Sequence, residues 1–339
     1  MNRTLGLDIG GANLKLACGD DFATSARFAL WKHPHELATA VGKLLDAAPA
    51  TDRVALTMTG ELADCFATKR EGVEHILGAA QQAVGDRELL VYALPGAFLD
   101  VSAAGQQPEY VAASNWHALA AAVATRVEGS PLMVIDTGST TTDVMPVVEG
   151  KVAAVGKNDP ERLLAGELVY AGVRRSPVCA MAPALPWQGQ PCPTARVLFA
   201  TAVDAFVWTG DIAEDESDLE TADGRPATRS FARDRLARSI CADRELFSDD
   251  DALNAAMALK SAQAAKIGLG ARQVLRRLGT PPTALVISGS GEFLARDAAL
   301  RLRLNAPIHS LAEMLGADVS NCAAAWAVSV LADRDQPRG

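Results

Sequence analysis

The sequence has no C-x-x-C pair and no histidines at zinc-ligand spacing; its six cysteines (Cys18, Cys65, Cys179, Cys192, Cys241, Cys322) and five histidines are scattered along 339 residues. A zinc ribbon or dithiol redox centre is excluded, and the thiols read as reduced, which points to the cytoplasm. No apolar run approaches the ~18 residues of a membrane span. The opening residues, MNRTLGLDIGG, enter a strand at once, without the apolar stretch and small-residue cleavage site of a signal peptide. A positive excess is also missing. Lys and Arg number 32 against 41 Asp and Glu, a formal charge of -9, which argues against nucleic acid or an anionic membrane as partner because both are held by clustered cations.

What is present is apolar residues, 49% of the chain, enough for two packed cores. The stretch that organises them is Leu132 to Val152, LMVIDTGSTTTDVMPVVEGKV. Leu132 to Ile135 form the continuous apolar run of a strand buried on both faces. Asp136, Thr137 and Gly138 end it, Ser139 to Thr142 supply four hydroxyls, and Val144 to Val148 return as a second strand to a Glu149-Gly150 turn. Gly138 allows close backbone approach to a ligand, and successive N–H groups and hydroxyls in such a turn suit phosphate oxygens, with Asp136 placed to hold a hydrated metal ion.

A weaker copy stands at the N-terminus. Thr4 to Ile9 form a strand, Gly10 and Gly11 turn it, and Ala12 to Cys18 return, with Asp8 where Asp136 stands in the later copy and Asn13 and Lys15 on the returning strand. Two such hairpins can present two carboxylates and two rows of donors across a cleft, which suits a polyphosphate with Mg²⁺. A third turn, Ser288-Gly289-Ser290-Gly291-Glu292, joins a buried strand to a helix, as ligand-binding turns do in open α/β sheets.

The expected organisation is α/β, with a first domain over 1–129, a break at Glu128-Gly129-Ser130-Pro131, and a second over 130–339. Residues Met181 to Thr194 are too proline-rich for regular structure, so a covering lid is expected near 180–228. Ala112 to Val127 and Ala195 to Trp208 read as helices. Arg174 and Arg175, paired in a loop behind the second hairpin, can clamp an anion or form a solvated basic patch. The clustered carboxylates of Asp211 to Thr228 read as an exposed loop or a site for a cationic group.

The three turns, in this order, resemble those of the actin, hexokinase and heat-shock-chaperone ATPase superfold, a two-domain, ribonuclease H-like architecture with an interdomain phosphate-binding cleft. Leu7 to Gly11 correspond to its phosphate-1 loop, Ile135 to Ser139 to phosphate-2 and Ser288 to Glu292 to the nucleoside loop. The stretch Gly138 to Val144 is similar to the hydantoinase/oxoprolinase branch. Thr57 to Cys65, Ser114 to His117, Gly166 to Arg175, Pro177 to Cys179 and Thr221 to Pro226 resemble the compact members of that branch in methanofuran biosynthesis. In methylotrophic bacteria such proteins are linked to tetrahydromethanopterin one-carbon transfer.

The resemblance implies a transferase. It would condense an aminomethyl-furanmethyl diphosphate with γ-glutamyltyramine, forming an aryl ether and releasing diphosphate. Under it, Asp8, Lys15 and Asp136 are catalytic, with Asp8 and Asp136 sharing one Mg²⁺. The phosphates fall to Gly10, Gly11, Asn13, Gly138, Ser139, Thr140, Thr141, Gly289, Ser290 and Gly291, and the organic parts to Arg174, Arg175, Glu61 and His117. A phenol of pKa near ~10 needs a base or a carbocation-like partner, and Glu61, Asp64 and His117 are the candidates for a base. Two further readings stay open: an ATP-dependent small-molecule kinase or amidohydrolase, favoured by the glycine loop at Gly289 to Gly291, and a non-catalytic nucleotide-binding protein. A homo-oligomer is compatible with all three.

Overall fold

In the computed structural model, residues 3–335 are described; the outermost residues of the two expected domains, 1–2 and 336–339, lie outside that range. The first sheet contains β1 (Leu5–Ile9), β2 (Asn13–Cys18), β3 (Phe22–Arg27), β4 (Arg53–Met58), β5 (Glu88–Ala93) and β6 (Ala97–Leu99), in the order β3-β2-β1-β4-β5-β6. The later strands are β7 (Leu132–Thr137), β8 (Thr142–Val148), β9 (Lys151–Val152), β10 (Leu168–Val169), β11 (Ala184–Trp187), β12 (Gln190–Pro193), β13 (Ala284–Ser288) and β14 (Ile308–Ser310). The second sheet runs β10-β8-β7-β13-β14, with β9 also on β8.

The two sheets repeat one plan. In the first, β1 pairs antiparallel with β2 and parallel with β4; in the second, β7 pairs antiparallel with β8 and parallel with β13. The centre strands of both are apolar and buried because both faces are covered: β1 is buried at every residue, as is β13. Helices Asn115–Val123 and Ala323–Arg334 join the two halves. The first contacts β8, the second contacts β1, and they pack on each other. Their apolar residues share one core with Ala17 and Ala55 of the first sheet and Val134, Met145 and Val286 of the second. The small residues of the last helix permit that approach: a Cβ on Gly6 of β1 would lie 1.8 Å from the Ala325 carbonyl oxygen.

Three expectations are corrected. The proline-rich segment forms a β11–β12 hairpin turned at Gln188-Gly189, with Pro186 opposite Pro191. An isolated two-stranded ribbon has two free edges, so its prolines cost no ladder donor. Leu185 buries in a core with the long helix Asp249–Leu278, and no residue from 180 to 228 lines the main cleft. The helix expected over Ala112 to Val127 is only Asn115–Val123, because Ala113 takes a positive φ of 48°. Helix Ala202–Thr209 begins seven residues later than expected, at a Thr201/Asp204 capping box.

Candidate functional site

The two hairpin turns are built alike. Gly10 N–H donates to the Asn13 carbonyl at 2.9 Å, and Gly138 N–H donates to the Thr141 carbonyl at 2.9 Å. Each aspartate stands two residues before its glycine, on the strand that enters the turn. Across the hairpin Asp8 faces Lys15 and Asp136 faces Asp143; on the parallel neighbour Asp8 stands beside Thr57 and Asp136 beside Ser288. The equivalence ends at those hydroxyls. Ser288 donates to Asp136 Oδ1 at 2.6 Å. Thr57 pairs instead with Ser114 at 3.1 Å, which leaves Asp8 Oδ1 buried without a hydrogen-bond partner.

Both turns open on one cleft of about 300 Å³. Of the residues singled out in the sequence, it brings together Asp8, Gly10, Gly11, Asn13, Lys15, Glu61, Asp64, Asp136, Gly138, Ser139, Thr140, Thr141 and Arg175. Burial pushes Asp8 up to about 6, against the pull of Lys15. Asp136 is also pushed up to about 6 by burial; the Ser288 hydrogen bond and Lys15 oppose the rise, and the charges of Asp143 and Asp8 add to it. Asp136 therefore feels the charge of Asp8, and two buried carboxylates on one cleft favour a cation beside them.

A Mg²⁺ ion fits this donor set. Asp8 carries an orphaned buried oxygen, and among the described residues no group of three or more His, Cys, Asp or Glu is arranged to hold a metal. An ion here would need ligand oxygens as well, and Mg²⁺ with one or two carboxylates, substrate phosphates and water meets that need.

Glu61 follows β4 and is only 1% exposed. Its backbone is fixed by close packing: a Cβ on Gly72 would lie 2.1 Å from the Glu61 carbonyl oxygen. Its Oε2 has no partner, while Lys69 Nζ stands 3.9 Å from Oε1 and 2.6 Å from Asp159 Oδ2. Burial pushes the Glu61 carboxyl up to about 7, against its own backbone N–H and Lys69. Such a value lies close to neutral pH, where a group can both take and return a proton.

Sequence reasoning missed Arg162. It sits on the short helix Asp159–Ala165, lines the cleft, pairs with Asp143 at 2.8 Å and lies 4.0 Å over the Trp116 ring. By pairing with Asp143 it offsets part of the charge across the hairpin from Asp136. Nothing in DPERLLA separates it from an exposed helical arginine.

The remaining residues fall elsewhere. His117 bonds to the Tyr92 hydroxyl at 2.8 Å and packs against Trp116 outside the cleft lining. Burial, with help from Arg162, lowers its pKa to about 4. Arg174 and Arg175 both hang by their N–H groups on the Ser139 carbonyl, but their side chains part. Arg174 is tied to Asp218, which also binds Arg27 at 2.7 Å, whereas Arg175 enters the cleft with its guanidinium 4.7 Å from the Trp31 ring centroid. The acidic loop is thus occupied by the protein's own cations. Gly289, Ser290 and Gly291 do not line the cleft. Gly291 N–H donates to the Thr137 carbonyl at 2.9 Å, and a Cβ on Gly289 would lie 2.4 Å from that oxygen. This glycine loop packs the base of the Asp136 turn.

Known proteins resemble this chain in sequence and in fold. The chain is 34% identical over 330 residues, 96% of each chain, to the (4-{4-[2-(gamma-L-glutamylamino)ethyl]phenoxymethyl}furan-2-yl)methanamine synthase of Methanocaldococcus jannaschii. It is 30% identical over 201 residues to the synthase of the same name from Methanococcus vannielii, covering 59% of this chain and 89% of that one. The nucleotide-free structure of acetone carboxylase aligns over 97% of this chain and 70% of that one, with a TM-score of 0.54 at 11% identity. That likeness concerns the fold alone, and the fold is the expected two-domain, actin-like α/β type. Residues 52–329 match the hydantoinase/oxoprolinase family, and the chain belongs to that family.

Proposed function

We propose that this protein is a transferase that joins a furanmethyl group, carried on diphosphate, to the phenol of γ-glutamyltyramine. The observation that carries the reading is the matched pair of hairpin turns, which brings two carboxylates, Lys15 and two rows of N–H and hydroxyl donors to one cleft. The printed name of the 34% identical relative describes a phenoxymethyl-furan product, which is the ether such a transfer would make.

The turn N–H groups of Gly11 and Ser139 to Thr141, left free by the Gly10 and Gly138 bonds that close the turns, bind the diphosphate together with Asn13 and the hydroxyls of Ser139 to Thr141. Lys15 adds positive charge. Arg175, attached to the Ser139 turn, serves the diphosphate better than the organic part of the substrate that the resemblance assigned to it. Asp8 and Asp136 would hold a Mg²⁺, whose charge stabilises the departing diphosphate. The phenolic oxygen forms the new C–O bond as the bond to diphosphate breaks, its electron pair leaving with the phosphate oxygen. Glu61 Oε2 takes the phenolic proton. As the ether bond forms that proton becomes strongly acidic, so a carboxylate of pKa about 7 is a sufficient acceptor. The six free thiols support a reducing, cytoplasmic setting.

The glycine loop that the sequence assigned to a nucleoside lies outside the cleft lining, which supports a reaction without ATP. The test is product formation from the two substrates and Mg²⁺, with and without nucleotide. Ether formed without nucleotide supports the reading. Ether that appears only with ATP, with ADP accumulating in step, replaces it by the kinase-like alternative, and no ether under either condition removes it.

A further inference from the structure

A second cavity, of about 260 Å³, lies beside the cleft and shares Ala113 and Asp159 with it. The Lys69–Asp159 ion pair stands at the join, with Lys69 also facing Glu61. The cavity is built from both halves of the chain: Arg70 and Glu109 come from helices Lys69–Val84 and Pro108–Val111 before the first break, Lys157 from after it. Its chemistry is mixed in a specific way. Trp116 supplies an apolar wall; besides Lys69 and Asp159, which pair with each other, Arg70 and Lys157 bring two cations and Glu109 one anion. The side chains of Arg70 and Glu109 make no hydrogen bond or ion pair among the described residues. A phosphate-binding site would exclude the glutamate, and an apolar site would exclude all three charges; the combination matches a zwitterion joined to a methylene chain.

We propose that this cavity binds the free α-amino-acid end of the acceptor: Arg70 and Lys157 take its α-carboxylate, Glu109 its α-ammonium, and Trp116 its methylenes. The tether passes the small side chain of Ala113, and the phenol emerges beside Glu61 in the main cleft. The assignment rests on the transferase reading and adds to it the part of the acceptor that sets specificity. It also replaces Arg174, which is tied to Asp218, as the source of carboxylate recognition.

The test compares γ-glutamyltyramine, its N-acetyl derivative and tyramine as acceptors for wild type, Arg70→Ala, Lys157→Ala and Glu109→Gln. Arg70 and Lys157 are exposed, and thermal unfolding of each variant checks that it folds. Either cation variant is expected to reduce the preference for γ-glutamyltyramine over tyramine, measured as the ratio of kcat/KM values, by about 10- to 100-fold, mainly through KM. Glu109→Gln is expected to narrow the preference for the free over the N-acetylated acceptor. A wild-type enzyme that forms ether while the variants leave these ratios unchanged overturns the cavity assignment alone. A wild-type enzyme that forms no ether from any acceptor overturns the transferase reading and this assignment together.

Discussion

Asp8 and Asp136 occupy the same place in two hairpins but keep different company: Ser288 donates to Asp136 at 2.6 Å, while Asp8 Oδ1 has no donor. Their turns close with the same hydrogen bond, Gly10 to Asn13 and Gly138 to Thr141. A structural role for each aspartate as a turn cap would need its carboxylate satisfied by the protein. Asp8 is not, and that asymmetry makes it the more ligand-dependent of the two.

Replacing either aspartate by asparagine keeps size and removes charge. Turnover is expected to fall about 100- to 1,000-fold, or ~2.7–4 kcal/mol of transition-state stabilisation. Steady-state product assays at saturating Mg²⁺ check this; a loss below tenfold in both variants would remove the shared-ion role.

The same site makes metal-free stability depend on pH. The Asp8 pKa is raised by burial to about 6 from an unfolded value of 3.8, so the folded state holds its proton more tightly than the unfolded one. Its stabilising contribution is complete below the unfolded pKa and is lost as pH rises through about 6. Asp8→Asn is therefore expected to stabilise the metal-free protein at pH 8 by about 2–3 kcal/mol, with roughly half of that difference gone at pH 5. Urea titrations of both proteins in a chelator at the two pH values measure it. Added Mg²⁺ should stabilise the wild type at pH 8 and leave Asp8→Asn nearly unmoved.

Glu61→Gln removes the proposed proton acceptor while preserving shape. A fall in kcat of about 100- to 10,000-fold is expected. The acid limb of the kcat/KM profile, which in the wild type should report a free-enzyme group of pKa about 7, should vanish. Because the KM for the diphosphate donor depends on other residues, a variant that loses only affinity for the donor would contradict the role.

Arg162→Ala leaves Asp143 buried and unpaired. Breaking such a pair costs about 3–5 kcal/mol, readable as a lower urea midpoint. The Asp143→Asn, Arg162→Met double variant should recover part of it. Equal stability of the single variant and the wild type would show that the pair is solvated.

The legibility of this site in the sequence followed from how local its signals are. An apolar run ending in Asp-x-Gly reports both the strand and the residue that faces the cleft, so Asp8, Lys15, Asp136 and Ser139 to Thr141 were within reach. Gly289 to Gly291 show the opposite case. Glycines between a strand and a helix look the same whether they admit a ligand or a neighbouring backbone, and here the neighbour is Thr137. Arg174 and Arg175 are adjacent in sequence, yet only the tertiary position of Asp218, more than forty residues later, decides which of them is free for the cleft. Arg162 was hidden for the same reason, since its partners Asp143 and Trp116 meet it only through the fold. Prolines in 183–193 read as irregular chain because a sheet interior has no place for them, whereas a two-stranded ribbon does.

The last helix has a consequence for biogenesis. Ala323–Arg334 rests on β1, Ser329 donates to the Thr4 carbonyl at 2.7 Å, and Gly19 N–H donates to Ser329 at 3.0 Å. The first sheet, formed by residues 5–99, therefore waits for residues 323–334 to be synthesised before one face is covered. Until then β1, β2 and β4 present apolar surface to solvent, which makes the nascent first half a client for chaperones even though its strands lie close together in sequence. A chain stopped before Ala323 is expected to collect in the insoluble fraction, and supplying the missing helix as a separate peptide during refolding should recover soluble protein.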